Sequence, residues 1–156
     1  MRFDYPDRIL PVDAKEAADD EGFVVLPGGA LRVAGPIGRE ADIADILATR
    51  ERTAGAFGVF RSEIAPQSGP PAHIHRGEDE FFYLLKGEVN FKLGERLVRA
   101  PTRSFVFRPR GKVHTFQNIG TELGLLLGVV TRAGIEKLFE ERQDVDAETQ
   151  RALFQK

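Results

Sequence analysis

The stretch PPAHIHRGEDEFFYLLKG, residues 70–87, decides how this chain is read. It sets His73 and His75 two residues apart, follows them with the acidic run Glu78, Asp79, Glu80, and then enters an apolar segment closed by Gly87. Residues i and i+2 of a strand point to one face, so two imidazoles at this spacing can aim at one point; helical ligands stand four apart. Pro70 and Pro71 also oppose a helix. In an unbroken strand, position 80 would face away from positions 73 and 75. Glu80 can join the histidines only if the backbone turns or bulges within residues 76–79, and Arg76 with Gly77 suits that.

The third and last histidine, His114, stands downstream in PRGKVHTFQN, residues 109–118. Pro109 and Gly111 mark a turn, and the strand expected after it puts His114 on the face of Phe116 and Asn118. His73, His75, Glu80 and His114 are therefore the candidate metal ligands. The chain has no cysteine, so imidazole and carboxylate must do the binding, a donor set that suits one divalent Fe, Mn, Co, Ni, Cu or Zn ion better than Ca or Mg. Four protein ligands leave positions for water, dioxygen or a small-molecule substrate. Phe82 shares the side of Glu80 and Phe116 that of His114, which makes both candidates to stack on a flat substrate; both equally suit plain core. Arg61, Lys92 and Arg108 could supply charge to such a site, but strand alternation is expected to turn them to solvent.

The rest of the chain argues for a β architecture. Its 156 residues suffice for one domain with its own core. Sixteen glycines and nine prolines favour many turns. Short runs at Phe23–Leu26, Ala30–Ala34, Ala56–Ile64, Phe81–Leu85, Val89–Leu93, Arg96–Ala100, Ser104–Arg108, Val113–Asn118 and Leu123–Val130 read as strands. Gly94 and Glu95 form a hairpin turn. Together these predict an all-β antiparallel barrel or jelly roll. Residues 40–48, EADIADILA, carry Ile43, Ile46 and Leu47 at helical spacing, and local pattern predicts a short helix there. Ile135, Leu138 and Phe139 predict a helix over residues 134–142, with a second beginning after Asp146. The expected organisation is an N-terminal arm over residues 1–22, a barrel over 23–132 and a helical segment over 133–156.

Several function classes are disfavoured. A formal net charge of -2, from 22 basic and 24 acidic residues spread along the chain, leaves no basic footprint for nucleic acid or an anionic membrane. The longest apolar run, at residues 123–130, is far short of the roughly 20 needed to span a bilayer. The first 20 residues lack the apolar core of a signal peptide, and a cytoplasmic location is expected.

The two histidine stretches also resemble the two cupin motifs. His73, His75, Glu80 and Gly87 match the first, and Pro109, Gly111, His114 and Asn118 match the second; both depart at the opening glycine, where this chain has Gln67 and Arg103. The resemblance covers roughly residues 23–142. It implies a cupin barrel (a double-stranded β-helix or jelly roll), a metal held by His73, His75, Glu80 and His114, a strand at residues 40–50 in place of the local helix, and a homodimer. The phrases TAGAF at 53–57, GPPAHIHRGEDEFFYLLKGE at 69–88 and VTRAGIEKLFEE at 130–141 resemble bacterial quercetin-dioxygenase-like single-domain cupins. That narrower likeness implies a dioxygenase acting on a flavonol or another enolic aromatic, with Glu80 as the catalytic group that takes the substrate's hydroxyl proton. Glu80→Gln is then expected to abolish catalysis and spare the fold. The alternatives are a metal-dependent isomerase or epimerase of a sugar or keto acid, and a metal-dependent binding barrel without catalysis.

Overall fold

The structure, a computed structural model, describes residues 22–34 and 43–132. The expected arm over residues 1–22, apart from Gly22, and the helical segment expected over 133–156 lie outside the described residues. Residues 22–30, the described part of a first unit, hold a β-bridge residue at Gly22 and a turn at Pro27 and Gly28. The strand expected over Phe23–Leu26 is not formed there. The second unit, from Leu31 onward, contains every strand of the described residues.

Those strands are β1 (Leu31–Ala34), β2 (Ile43–Ala48), β3 (Phe57–Ile64), β4 (Glu80–Lys86), β5 (Glu88–Leu93), β6 (Arg96–Pro101), β7 (Phe105–Arg108), β8 (His114–Asn118) and β9 (Gly124–Thr131). They build two antiparallel sheets, one in the order β1-β2-β3-β9-β4-β7 and one in the order β6-β5-β8. Among the described residues there is no helix, and so none long and apolar enough to cross a membrane. The all-β expectation holds over this region.

The helix expected from residues 40–48 is a correction, because residues 43–48 are strand β2. Pairing on both sides, with β1 and β3, supplies the hydrogen bonds, and Ala44, Ile46 and Ala48 are buried toward the core. Tertiary pairing and burial outweigh a helical propensity worth only tenths of a kcal/mol per residue, about 0.7 at most.

Strict alternation makes one core. Strand β9 buries every second residue from Gly124 to Val130, and β3 does so from Gly58 to Ile64. Phe82 of β4 meets Phe91 of β5 and Phe116 of β8 with ring centroids 5.9 and 5.5 Å apart, so three aromatic rings bridge the two sheets. Gly69 passes close to β8: a Cβ there would lie 1.8 Å from the Phe116 carbonyl oxygen. Only glycine permits that approach, and it seats the segment leading to His73 against the strand that carries His114.

Candidate metal centre

The two histidine segments are tied by backbone. His73 N donates to His114 O and His114 N to His73 O, each at 3.0 Å, and Gly111 N donates to His75 O at 2.7 Å. The chain bends at Arg76 and Gly77, and regular strand resumes only at Glu80. This is the break that residue parity requires, and it lets a residue of opposite parity face the histidines.

Each member of the acidic run has a different task. Glu78 Oε2 accepts from Gly77 N at 3.1 Å, inside the bend. Asp79 Oδ1 accepts from Arg110 N at 2.9 Å and Nε at 3.0 Å, which clamps the bend to the turn before His114; those bonds hold its carboxyl down to about 2. Glu80 alone points inward, 3% exposed. Its Oε2 lies 3.5 Å from His75 Nε2 and 3.7 Å from His114 Nε2.

His73, His75 and His114 form a cluster whose ligand atoms all lie within 4.8 Å of one another. His73 Nε2 is 3.1 Å from both His75 Nε2 and His114 Nε2. Their other nitrogens fix the tautomers. His73 Nδ1 lies 2.8 Å from Pro71 O, and His114 Nδ1 lies 2.9 Å from Lys112 O. A carbonyl oxygen can only accept, so each Nδ1 carries the proton and each neutral ring turns a bare Nε2 lone pair inward. Two lone pairs facing each other at 3.1 Å repel unless a cation stands between them. Nitrogens about 2.1 Å from one ion at 90–110° are about 3.0–3.4 Å apart, so the spacing fits a transition metal. The carbonyls of Pro71 and Lys112 are the outer partners that orient such ligands.

The electrostatics agree with that fit. Burial, with the neighbouring His73 and then the Arg108 charge, lowers His75 to about 3. Burial, with Arg108, His73 and His75 in that order, lowers His114 to about 2, against an opposing hydrogen bond to Lys112. Both rings are thus neutral donors at pH 7. The buried Glu80 carboxylate faces these lone pairs and adds an anionic oxygen donor to the set.

Arg108 is the residue that sequence reasoning placed wrongly. It does not face solvent: it is 2% exposed, its Nη2 contacts Glu80 Oε2 as an ion pair, and its guanidinium lies over the Phe82 ring at 4.6 Å. Strand β7 turns Val106 and Arg108 inward and leaves Phe105 63% and Phe107 46% exposed, where both rings pack on Phe81. The bulk of the two phenylalanines suggested the opposite facing. The available signal was Glu80 itself, since a buried carboxylate needs a cation and Arg108 is its cross-strand partner. Arg61 and Lys92 are not buried.

Phe82 and Phe116 both belong to the buried core cluster, with their rings 5.5 Å apart. Their side chains touch the site through Arg108, whose guanidinium is 4.6 and 6.0 Å from the two ring centroids.

Comparison with known proteins agrees with this architecture. Residues 60–130 match the Cupin domain family model. No curated protein matches the chain. Among solved structures, the polyketide cyclase RemF from Streptomyces resistomycificus is similar at 20% identity and a TM-score of 0.61, over 70% of this chain and 79% of that one. A predicted oxalate decarboxylase from Thermotoga maritima is similar at 22% identity and a TM-score of 0.60, over 70% and 98%. KdgF from Halomonas sp. follows at 12% identity and a TM-score of 0.57, over 64% and 86%. At these identities the likeness concerns the fold. The family match over residues 60–130, a little under half of the chain, and the two-sheet jelly roll around the His cluster make this region similar to cupin domains.

Proposed function

We propose that this chain is a metal-dependent enzyme whose single divalent transition metal is held by His73, His75, Glu80 and His114. The observation that carries the reading is the convergence of the bare Nε2 atoms of His73 and His114 at 3.1 Å beside the buried Glu80 carboxylate. A metal bound there supplies Lewis acidity and, when redox-active, access to dioxygen chemistry. The chain's own groups do the rest. The walls of Phe82, Phe91 and Phe116 exclude water and strengthen every charge interaction inside. Glu80 would be the buried carboxylate that takes a hydroxyl proton from the substrate. We assign the reaction class as dioxygenation of an enolic aromatic small molecule of the flavonol type. The buried Arg108 beside Glu80 favours a second reading, Lewis-acid isomerisation of a keto acid, because that substrate class needs a cation for its carboxylate.

Metal analysis of the purified protein, followed by oxygen-uptake assays with flavonols and related enols on protein loaded with each candidate ion, tests the assignment. Uptake under air with loss of the enol chromophore is expected. Absence of uptake with every ion sinks the dioxygenase reading, and turnover that proceeds equally under nitrogen supports the isomerase.

A further inference from the structure

We propose that Arg108 is a carboxylate anchor, so that the ligand this site selects is a small organic acid with an oxygen donor next to its carboxylate. The proposal rests on the reading of His73, His75, Glu80 and His114 as a metal site, and it favours an organic acid over a flavonol, which has no carboxylate. Among the described residues Arg108 is the one buried Lys or Arg side chain. A guanidinium carries five N–H donors in a planar fork matched to a carboxylate. Only Nη2 is used, on Glu80; Nε and Nη1 are buried and have no hydrogen-bond partner.

A residue that merely neutralised Glu80 would not need the fork. Leaving two N–H groups of a buried cation unpaired is costly, and a ligand oxygen would recover that cost. Charge points the same way. Arg108 and Glu80 cancel, the imidazole ligands are neutral, and a divalent ion leaves the pocket two charges positive between aromatic walls. A neutral substrate does not offset that excess, whereas an acid that binds the metal through a hydroxyl or keto oxygen and Arg108 through its carboxylate does. The Phe82 ring, 4.6 Å from the guanidinium, holds it in place by a cation–π contact. Outside, a cleft of about 330 Å³ that His114 lines carries Arg96 and Lys112 and no acidic residue, a potential that draws anions toward the site.

The test is calorimetric titration of metal-loaded wild type, Arg108→Met and Arg108→Lys with salicylate and with its neutral amide, salicylamide, after metal content is measured on the same samples. The anchor predicts that Arg108→Met weakens salicylate by about tenfold or more and leaves salicylamide unchanged, with Arg108→Lys intermediate because it keeps the charge and loses the fork. If salicylate is unaffected, or both probes weaken equally, the anchor is overturned. A wild type that takes up no metal overturns the metal site and the anchor together; a metal-replete wild type without the predicted Arg108 dependence overturns the anchor alone. Should neither variant fold, the wild-type preference for salicylate is compared with that of the same ion free in solution; a larger preference supports the anchor and equality overturns it.

Discussion

Arg108 Nη2 meets Glu80 Oε2, the same oxygen that stands 3.5 Å from His75 Nε2. Glu80 therefore has two duties, to the histidine cluster and to a buried guanidinium that would otherwise lack a counter-charge. The sequence alone suggests that Glu80→Gln abolishes catalysis and spares the fold; the pair changes that expectation. Removing one partner of a buried ion pair costs about 3–5 kcal/mol, while replacing both with apolar groups is often neutral. Glu80→Gln should shift the denaturant midpoint by a loss of that order, and Glu80→Gln with Arg108→Met should regain most of it. A single variant as stable as the wild type would show that Arg108 does not depend on Glu80.

Gln67 and Arg103 occupy the left-handed region, with φ of 59° and 73°. These are the two positions where the cupin motifs open with glycine, and the backbone here keeps the conformation although the residue has changed. A non-glycine residue in this region costs roughly 1–2 kcal/mol, and glycine costs about 0.5–1 kcal/mol through the unfolded chain, so the exchange should be a net gain. Arg103 is the cleaner site, since it is exposed and its backbone N–H donates to Leu84 O at 2.7 Å, whereas the Gln67 side chain reaches Ile119 O through Nε2. Arg103→Gly should raise the melting temperature by a few degrees, about 2–4 °C per kcal/mol in a chain of this size. A fall would mean that the Arg103 side chain contributes more than its strain costs.

What was legible in the sequence, and what was not, follows from how local each signal is. Alternation in Val89, Phe91, Leu93 and the Pro and Gly punctuation are properties of a few neighbouring residues, and they gave the strands of the barrel nearly to the residue. The break at Arg76 and Gly77 was legible because strand parity permits no other way for Glu80 to face the histidines. Residues 43–48 were misread because their facing is set by β1 and β3, which are distant in sequence. Arg108 was misread for a similar reason: Phe105 and Phe107 look like core until Phe81 is known to offer them an outer aromatic face.

Acid should destabilise the metal-free protein well above the range in which carboxylates titrate. His75 and His114 are held at about 3 and about 2 in the folded state, chiefly by burial, against 6.5 when unfolded. The unfolded chain therefore takes up protons first as pH falls. Stability is full above pH 6.5 and declines from there toward pH 3, by up to ~1.4 kcal/mol per pH unit for each ring. Urea midpoints measured from pH 8 to pH 4 should fall, and His75→Gln should flatten the slope. A pH-independent midpoint over that window would mean that neither ring is buried neutral.

Metal binding should appear as thermal stabilisation. An ion that binds only the folded cluster adds about 2.7 kcal/mol at one hundred times its dissociation constant, or a rise of roughly 5–10 °C. The chelated protein should remain folded, since its core does not depend on the ion, and His114→Ala should remove the response to added ion. If none of Fe, Mn, Co, Ni, Cu or Zn shifts the transition, the cluster is not a metal site.

Asn118 matches the last position of the second motif, but its contacts are structural. It is fully buried; Nδ2 donates to Ile64 O at 2.9 Å and Glu122 O at 2.8 Å, and Oδ1 accepts from Gly120 N at 2.9 Å. One amide thus closes the turn between β8 and β9 and ties it to the end of β3, fixing the strand whose other end carries His114. Asn118→Ala leaves three backbone groups short of partners, at about 1–3 kcal/mol for each that stays dry. Asn118→Asp keeps the shape but turns the donor into a second acceptor facing two carbonyls, and buries a charge. Asp should therefore be worse than Ala, the reverse of what size alone predicts. Thermal denaturation of the two variants decides it: if Asp proves the milder change, water reaches the turn and the amide is not its keystone.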